Sequence, residues 1–126
     1  MLPTAQSTAQ SIGMSKPEAK DLFNPEISIP IGSAYIDKLH RILAPHPMLV
    51  LPGYNTKQNN VGKWMNRFAE LDMDMYVEKI PFKEARHYAK RVGTTLWRYR
   101  WLYDKNMPKL FDPAQNLGEL GVLKEE

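Results

Sequence analysis

The spacing of apolar positions predicts a chain built from helices. Apolar residues recur every three or four positions, and no segment alternates apolar and polar residues as a half-buried strand would. Turns that contain proline separate the periodic segments, because proline does not fit the interior of a helix. The predicted helices cover residues 4–13, 25–43, 47–54, 59–68, 73–77 and 81–103, and a polar loop is expected at 14–23. The pattern therefore indicates an all-α fold.

The start of the second helix carries the clearest local signal. Asn24 can cap the free amide groups, Pro25 fits the first turn, and Glu26 complements the positive end of the helix dipole. Pro30 follows within the first two turns, where a lost hydrogen bond costs least. The helix is predicted to end near Leu43, because two prolines come shortly afterwards.

The last predicted helix is the longest element. Gly93 weakens its middle, since glycine has a low helix propensity. Residues 104–126 are sparse in apolar side chains and hold two prolines, so we expect extended or frayed structure there. The apolar stripe of the long helix consists of Ala85, Tyr88, Ala89, Val92, Leu96, Tyr99 and Tyr103.

The composition is that of an ordinary globular domain. The chain has 126 residues, of which 43% are hydrophobic and 25% charged, which suits one domain or part of one. No apolar run is long enough to span a membrane, and residues 1–13 lack the basic start and apolar core of a secretory leader. The absence of cysteine excludes disulfides and thiolate metal sites.

Positive charge is concentrated in one segment. The net charge is +3, but residues 83–100 hold six Lys or Arg against the single acid Glu84. Such a stripe either favours an anionic partner, such as a wall polymer, nucleic acid or lipid headgroups, or is simply a solvated helix face.

Several kinds of active site are not encoded. The chain has no glycine-rich phosphate loop and no serine at a nucleophile elbow. The histidines His40, His46 and His87 lack the spacing of zinc ligands. We therefore expect no metal and no cofactor.

Two groups of residues point to a family. The first is Gly53-Tyr54-Asn55, followed by Val61 and Trp64; the second is Ile80-Pro81-Phe82 with Glu84, Arg86 and Tyr88. Three fragments earlier in the chain match segments that precede these two groups in the same family. They are Met1-Leu2-Pro3-Thr4-Ala5, Leu22-Phe23-Asn24-Pro25-Glu26 and Ile31-Gly32-Ser33-Ala34-Tyr35. The aromatic and arginine cluster at 97–103 also has a counterpart. Together these motifs resemble the catalytic domain of soluble lytic transglycosylases, which cleave bacterial peptidoglycan.

The resemblance implies a fold and a reaction. The expected fold is a goose-lysozyme-like helical domain, truncated at its N-terminus, over residues 1–103, with a C-terminal tail at 104–126. In the family a glutamate protonates the bond between N-acetylmuramic acid and N-acetylglucosamine and then helps the muramic 6-hydroxyl attack its own anomeric carbon. The product is a 1,6-anhydro sugar. A glutamate in an apolar groove can hold its proton near neutral pH, and an internal hydroxyl removes the need for a second carboxylate.

The catalytic glutamate of that family has no counterpart here. In the family it precedes a serine and lies before a Gly-Leu-Met-Gln segment, whereas this chain starts after the position of that Gln. No glutamate of this chain is followed by serine. The expectation is therefore that these 126 residues contain no catalytic residue and are inactive alone. The glutamates compared are Glu18, Glu26, Glu70, Glu78, Glu84, Glu119, Glu125 and Glu126.

Four residues are the candidates for substrate binding: Tyr54, Asn55, Glu84 and Tyr88. The Tyr54 hydroxyl could orient the catalytic carboxylate or the substrate, or could belong to a buried core tyrosine. Asn55 could bond the sugar amides or only end its helix. Glu84 could accept a hydrogen bond from a sugar hydroxyl or could pair with Arg91 or Tyr88, and Tyr88 itself could line the groove or the core.

Three tryptophans and one loop complete the comparison. Trp64, Trp97 and Trp101 are predicted to pack in the core rather than to support sugars. The family usually has Ala-Gly-Pro-Gly after its Tyr-Asn pair, whereas residues 56–59 read Thr-Lys-Gln-Asn, so the local groove shape can differ.

The expected partner is peptidoglycan, and the family implies a periplasmic or cell-envelope location. Two other readings stay open. One is a peptidoglycan-binding module without catalysis, and the other, the least favoured, is a small basic protein that binds nucleic acid through residues 83–100.

Overall fold

The computed structural model describes residues 1–44, 46–104 and 114–120 of the chain. Helices make up most of this part, and the β pairing recorded in it is one isolated bridge between Asp72 and Asn116. The predicted all-α fold is confirmed. The α-helices are α1 (Leu2–Ser11), α2 (Pro25–Leu43), α3 (Pro47–Asn55), α4 (Gln58–Arg67), α5 (Met73–Lys79) and α6 (Lys83–Tyr103), and short 3₁₀ helices lie at Ala19–Phe23 and Leu117–Leu120.

The chain divides into two compact units, Met1–Lys38 and Leu39–Glu126. In the first, α1 starts two residues earlier than predicted, because Pro3 is tolerated in a first turn. It ends as expected before Gly13, whose φ of +75° suits glycine. Gln6 Nε2 donates to the Pro17 carbonyl oxygen at 3.0 Å. The predicted loop 14–23 is partly wrong, since its second half forms the 3₁₀ helix.

The start of α2 follows its sequence signal. The Glu26 amide donates to Asn24 Oδ1 at 3.0 Å, and Pro25 is the first helical residue. Pro30 lies inside the helix, which nevertheless continues to Leu43. Both predicted ends of this helix are confirmed.

The second unit is built around α3, which packs most extensively on α6 and also on α4. Residues 48–53 of α3 are all buried, so this helix has no solvent-facing side over most of its length. The other buried apolar side chains come from the end of α2, from α4 to α6 and from the C-terminal segment: Leu39, Leu43, Val61, Trp64, Met65, Met73, Tyr76, Val77, Ile80, Ala85, Ala89 and Leu117.

The C-terminal segment 114–120 is part of this unit. The Met73 amide donates to the Gln115 carbonyl oxygen at 3.0 Å, and the Leu117 amide donates to the Leu71 carbonyl oxygen at 2.9 Å. Leu117 is 1% exposed. The expectation of extended or frayed structure beyond residue 104 is therefore wrong for the 3₁₀ helix Leu117–Leu120, while 105–113 and 121–126 lie outside the described residues.

The second half of α6 is more exposed than its pattern predicts. Ala85 and Ala89 are buried, but Tyr99 and Tyr103 of the same stripe are exposed. Trp97 and Trp101 are 48% and 65% exposed, so the prediction that they pack in the core is wrong. No helix among the described residues is both long and apolar enough to cross a membrane.

Candidate glycan-binding site

The two sequence motifs meet through a pair of tyrosines. Tyr54 lies near the C-terminal end of α3, and Tyr88 lies in the second turn of α6. Their rings are stacked, with centroids 6.4 Å apart and an angle of 7° between the ring planes. Both residues are half-buried. Residues separated by 34 positions in the sequence thus form one aromatic surface.

Close packing of glycines positions α3 beside its neighbours. A Cβ atom added to Gly53, the residue before Tyr54, would lie 2.6 Å from Leu43 Cδ1, and a Cβ atom on Gly93 of α6 would collide with Met48 Cε. Both positions lack space for a side chain unless those neighbours move. Gly93, which lowers the helix propensity of α6, therefore allows α3 to approach α6 closely.

The environment of Tyr88 disfavours ionisation of its hydroxyl. Partial burial raises the pKa of Tyr88, and the neighbouring Tyr54 raises it further, while the positive charge of Arg91 opposes both effects. The phenol is therefore protonated at neutral pH and can donate or accept a hydrogen bond. Arg91 follows Tyr88 by three residues, so the two side chains are neighbours on the surface of α6.

Asn55 is the last residue of α3 and is half-buried. The turn that follows is held by the Thr56 amide, which donates to the Pro52 carbonyl oxygen at 2.9 Å, and by Asn60 Nδ2, which donates to Thr56 Oγ1 at 2.8 Å. Among the described non-glycine residues, the one with positive φ is Ala44. The loop at 56–59 thus closes without the left-handed conformations that glycines would allow.

Glu84 is exposed in the first turn of α6, four residues before Tyr88. Residues four apart lie on the same side of a helix, so Glu84 and Tyr88 share one side of α6. No hydrogen bond or ion pair ties the Glu84 side chain to Arg91, to Tyr88 or to any other residue in the described part of the chain. The pairing alternatives for Glu84 are therefore not found, and its carboxylate faces solvent.

Arg86 has a structural role that the motif match did not predict. Its Nη1 donates to the Ile80 carbonyl oxygen at 3.0 Å and to the Glu78 carbonyl oxygen at 3.4 Å. Lys90 forms an ion pair with Glu78. These contacts join α5 to α6 across the turn at residues 80–82. The packing predicted for Trp64 is confirmed, because its ring is buried and meets Phe82 edge-on at 5.2 Å.

The sequence analysis did not predict that His46 and Tyr76 are buried. His46 is 4% exposed, and its Nδ1 accepts a hydrogen bond from the Met48 amide at 3.2 Å at the start of α3. Burial lowers the pKa of His46 from 6.5 to about 4. Tyr76 is fully buried in α5, its hydroxyl has no hydrogen-bond partner among the described residues, and burial raises its pKa. Short-range sequence patterns do not reveal either burial.

Two open depressions have neither Tyr54 nor Tyr88 in their lining. One, of about 390 Å³, follows a single face of α6 and is lined by His87, Lys90, Arg91, Thr94, Thr95 and Arg98. The other, of about 750 Å³, lies between the end of α4 and the end of α5, near Arg67 and Lys79. Within the described ranges, no group of three or more His, Asp or Glu residues is arranged to hold a metal ion.

Known proteins with similar sequences and structures were found. The sequence profile of the transglycosylase SLT domain matches residues 1–77. A Haemophilus influenzae protein assigned as a soluble lytic murein transglycosylase is 34% identical over 117 residues, which are 91% of this chain and 20% of the relative. The soluble lytic murein transglycosylase of Escherichia coli is 32% identical over 72 residues, which are 56% of this chain and 11% of the relative.

The fold is similar to that of a crystal structure of an inactive Glu-to-Gln mutant of the lytic transglycosylase Slt from Pseudomonas aeruginosa. The TM-score is 0.78 and the sequence identity is 27%, over 89% of this chain and 18% of that one. The chain therefore spans about a fifth or less of the length of these relatives.

Proposed function

Because this chain belongs to the transglycosylase SLT domain family, with the lysozyme-like helical fold of its structural neighbour, we propose that it forms the glycan-binding part of a peptidoglycan lytic transglycosylase domain. The reaction would cleave the bond between N-acetylmuramic acid and N-acetylglucosamine and form a 1,6-anhydro product. The observation that carries the proposal is the stack of Tyr54 on Tyr88, which joins the two family motifs into one surface.

The four candidate residues have distinct tasks in this proposal. The half-buried phenols of Tyr54 and Tyr88 supply flat apolar faces together with hydroxyl groups, which suit a sugar ring and its hydroxyls. The exposed Glu84 carboxylate accepts hydrogen bonds from sugar hydroxyls, and the Asn55 side chain pairs with an N-acetyl amide. None of these groups acts as the proton donor for bond cleavage.

The acid comes from the family's Glu-Ser segment, which these 126 residues do not include. That glutamate would protonate the glycosidic oxygen and then accept the proton of the attacking 6-hydroxyl. Glu84 is a poor substitute, because it is exposed in the first turn of α6, whereas a carboxyl group that acts as an acid near neutral pH needs an apolar site that excludes water. The proposed site of action is the periplasm or cell envelope, where peptidoglycan lies.

Binding to purified sacculi tests the proposed site. We expect Tyr54→Ala and Tyr88→Ala each to lower the retained fraction about tenfold, which corresponds to the loss of roughly 1–2 kcal/mol of contact with the sugar rings. Tyr103→Ala is the matched control, since Tyr103 is a 78% exposed aromatic residue of the same helix outside the pair. If all three variants bind equally well, Tyr54 and Tyr88 do not form the site.

The products of digestion separate catalysis from binding. Sacculi incubated with the 126 residues alone should release no anhydro-muropeptides above a blank, whereas the same residues joined to a family segment that contains the Glu-Ser pair should release them. If the 126 residues alone are active, another acid must exist, and Glu84→Gln would be the first variant to measure. If the joined protein binds sacculi but releases nothing, the chain is a binding module without catalysis.

A further inference from the structure

The last two turns of α6, residues 96–103, form an aromatic end that is exposed to solvent. These residues are helical and read Leu-Trp-Arg-Tyr-Arg-Trp-Leu-Tyr. Since successive residues of an α-helix are turned by about 100°, the six aromatic and leucine side chains point in all directions around the axis. A helix that is apolar on all sides is ordinarily buried. Here the same six side chains are between 37% and 78% exposed: Leu96, Trp97, Tyr99, Trp101, Leu102 and Tyr103.

The buried part of α6 ends before this segment. The buried residues of the helix are Ala85, Ala89 and Gly93, and no later residue of α6 is buried. Within the aromatic end, the rings of Tyr99 and Tyr103 stack on each other with their centroids 5.9 Å apart, and both stay exposed. Exposed apolar patches of this kind mark surfaces that bind a partner.

The charges of the aromatic end are all positive. Arg98 and Arg100 are its charged residues, and residues 85–103 contain no Asp or Glu. Arg98 is exposed and Arg100 is half-buried, and neither forms an ion pair with a described residue. An arginine can lay its methylene stem along an apolar surface while its guanidinium group reaches polar groups. The segment therefore suits a partner that is apolar in its interior and negatively charged at its surface.

A bilayer that contains anionic lipids has both of these properties. Trp and Tyr are enriched at the boundary between lipid headgroups and acyl chains, because each ring has an apolar body and a polar tip. Guanidinium groups bind lipid phosphates through paired hydrogen bonds. Eight helical residues extend about 12 Å along the axis, and interfacial helices enter a bilayer to a depth of about 5–10 Å. A bilayer also surrounds an inserted helix end on every side, as the distribution of the apolar side chains requires.

We propose that the aromatic end of α6 inserts into the surface of an anionic lipid bilayer. Trp97 and Trp101 lie at the level of the headgroups, and Arg98 and Arg100 bind lipid phosphates. The contact is reversible, since two helical turns bury far less apolar surface than a membrane span. It does not depend on the proposed sugar site, and it holds a domain of the cell envelope at the membrane surface.

Titration with lipid vesicles tests the proposal on the full chain. One set of vesicles is phosphatidylcholine alone, and the other also contains phosphatidylglycerol. We expect the anionic vesicles to bind about tenfold more tightly, because each arginine near an anionic surface adds to the attraction. Since Trp64 is buried whereas Trp97 and Trp101 are exposed, insertion should shift the tryptophan emission to shorter wavelength. Brominated acyl chains should quench that emission.

Two double variants separate the apolar contribution from the charge. Trp97→Ala/Trp101→Ala should weaken binding to both kinds of vesicle about tenfold or more, because the inserted rings are lost. Arg98→Gln/Arg100→Gln should bind both kinds equally and keep the affinity of the wild type for phosphatidylcholine. Circular dichroism of each variant establishes that the helices are retained.

Matched controls exclude a general effect of exposed aromatic or charged residues. Phe23→Ala removes a 90% exposed ring outside the aromatic end, and Lys63→Gln/Lys79→Gln removes two exposed charges outside it; both proteins should bind vesicles as the wild type does. Equal affinity of the wild type for both kinds of vesicle, absence of quenching, or an equal loss in the lysine and arginine variants would overturn the proposal.

Other occupants of the aromatic end give different results. Sedimentation that shows a dimer of the wild type, lost in the tryptophan variant, would assign the segment to a second copy of the chain. If joining the chain to a family segment with the Glu-Ser pair shifts the emission without vesicles and abolishes vesicle binding, that segment covers it. Tighter binding of single-stranded DNA than of anionic vesicles would assign it to nucleic acid. Each of these three results would overturn the proposal.

Discussion

At the scale of single residues, burial changes the chemistry of groups that look ordinary in the sequence. His46 stands among prolines at the start of α3, where it is buried and caps the helix through Nδ1. A buried imidazole resists protonation because the charged form loses its hydration. The helix at the centre of the second unit is therefore capped by a side chain whose neutral form the fold requires.

Acid should weaken the fold through His46. The pKa of His46 is lowered to about 4 in the folded chain, against 6.5 in the unfolded chain, so between these values the unfolded state binds the additional proton. The free energy of unfolding is therefore unaffected by His46 above about pH 6.5. As the pH falls toward 4 it decreases, by about 1–3 kcal/mol in total. Urea unfolding at pH 7.5, 6 and 5 measures the decline.

The matched variant is His46→Asn, which keeps a capping acceptor and removes the titration. The wild type should lose stability relative to His46→Asn as the pH falls from 7.5 to 5. Parallel stability curves for the two proteins would show that His46 titrates alike in both states.

At the scale of elements, close contact between helices depends on glycines, which have no side chain. Gly53 allows the buried Leu43, the last residue of α2, to lie against α3, and Gly93 allows Met48 to lie against α6. Both glycines stand where helix propensity alone would favour alanine. Glycine lowers the helix propensity at both positions, but it lets the helices approach closely. Gly53 does so directly beside Tyr54.

Substitution of Gly53 by alanine should therefore destabilise the chain despite the better helix propensity. The new methyl group would meet Leu43 Cδ1 at 2.6 Å in a buried site, and overpacking of this kind costs about 1–3 kcal/mol. Leu43→Val in the same chain removes the obstructing atom, so the double variant should be more stable than the sum of the single effects predicts. Strictly additive free energies of unfolding would show that the two residues are not coupled.

At the scale of the second unit, the C-terminal segment contributes to the core. Leu117 is as buried as Leu49 of α3 and Val61 of α4, and backbone hydrogen bonds join its segment to residues 69–73. These hydrogen bonds join positions about 45 residues apart, and the sequence of the tail has no periodicity that would predict them. The unit therefore includes residues beyond the boundary that the sequence suggested at 103.

Leu117→Ala should cost about 2–4 kcal/mol in free energy of unfolding, because it leaves a cavity in the core. Leu102→Ala is the matched control: the same change at a 62% exposed position of α6 should stay within about 0.5 kcal/mol. Denaturant unfolding of both variants gives the comparison. A Leu117 variant as stable as the Leu102 variant would mean that the segment does not support the core.

The sequence by itself determined the helices and the family. Asn24, Pro25 and Glu26 act within one helical turn, and the prolines between helices restrict only their neighbours, so these signals are readable locally. The order of the motifs around Tyr54 and Glu84 predicted the family for the same reason, since motif spacing is a property of the chain. The profile match to residues 1–77 and the relative aligned over 117 residues confirm the family.

The tertiary structure alone decided which of these residues meet and which remain exposed. The stack of Tyr54 on Tyr88, the burial of Leu117 and the exposure of Trp97 and Trp101 depend on contacts between segments far apart in the chain. The periodicity of α6 is the same along its whole length, but its buried residues are Ala85, Ala89 and Gly93, and Gly93 lies against Met48 of α3. An apolar stripe shows which side of a helix can be buried, and the presence of a partner element decides whether it is.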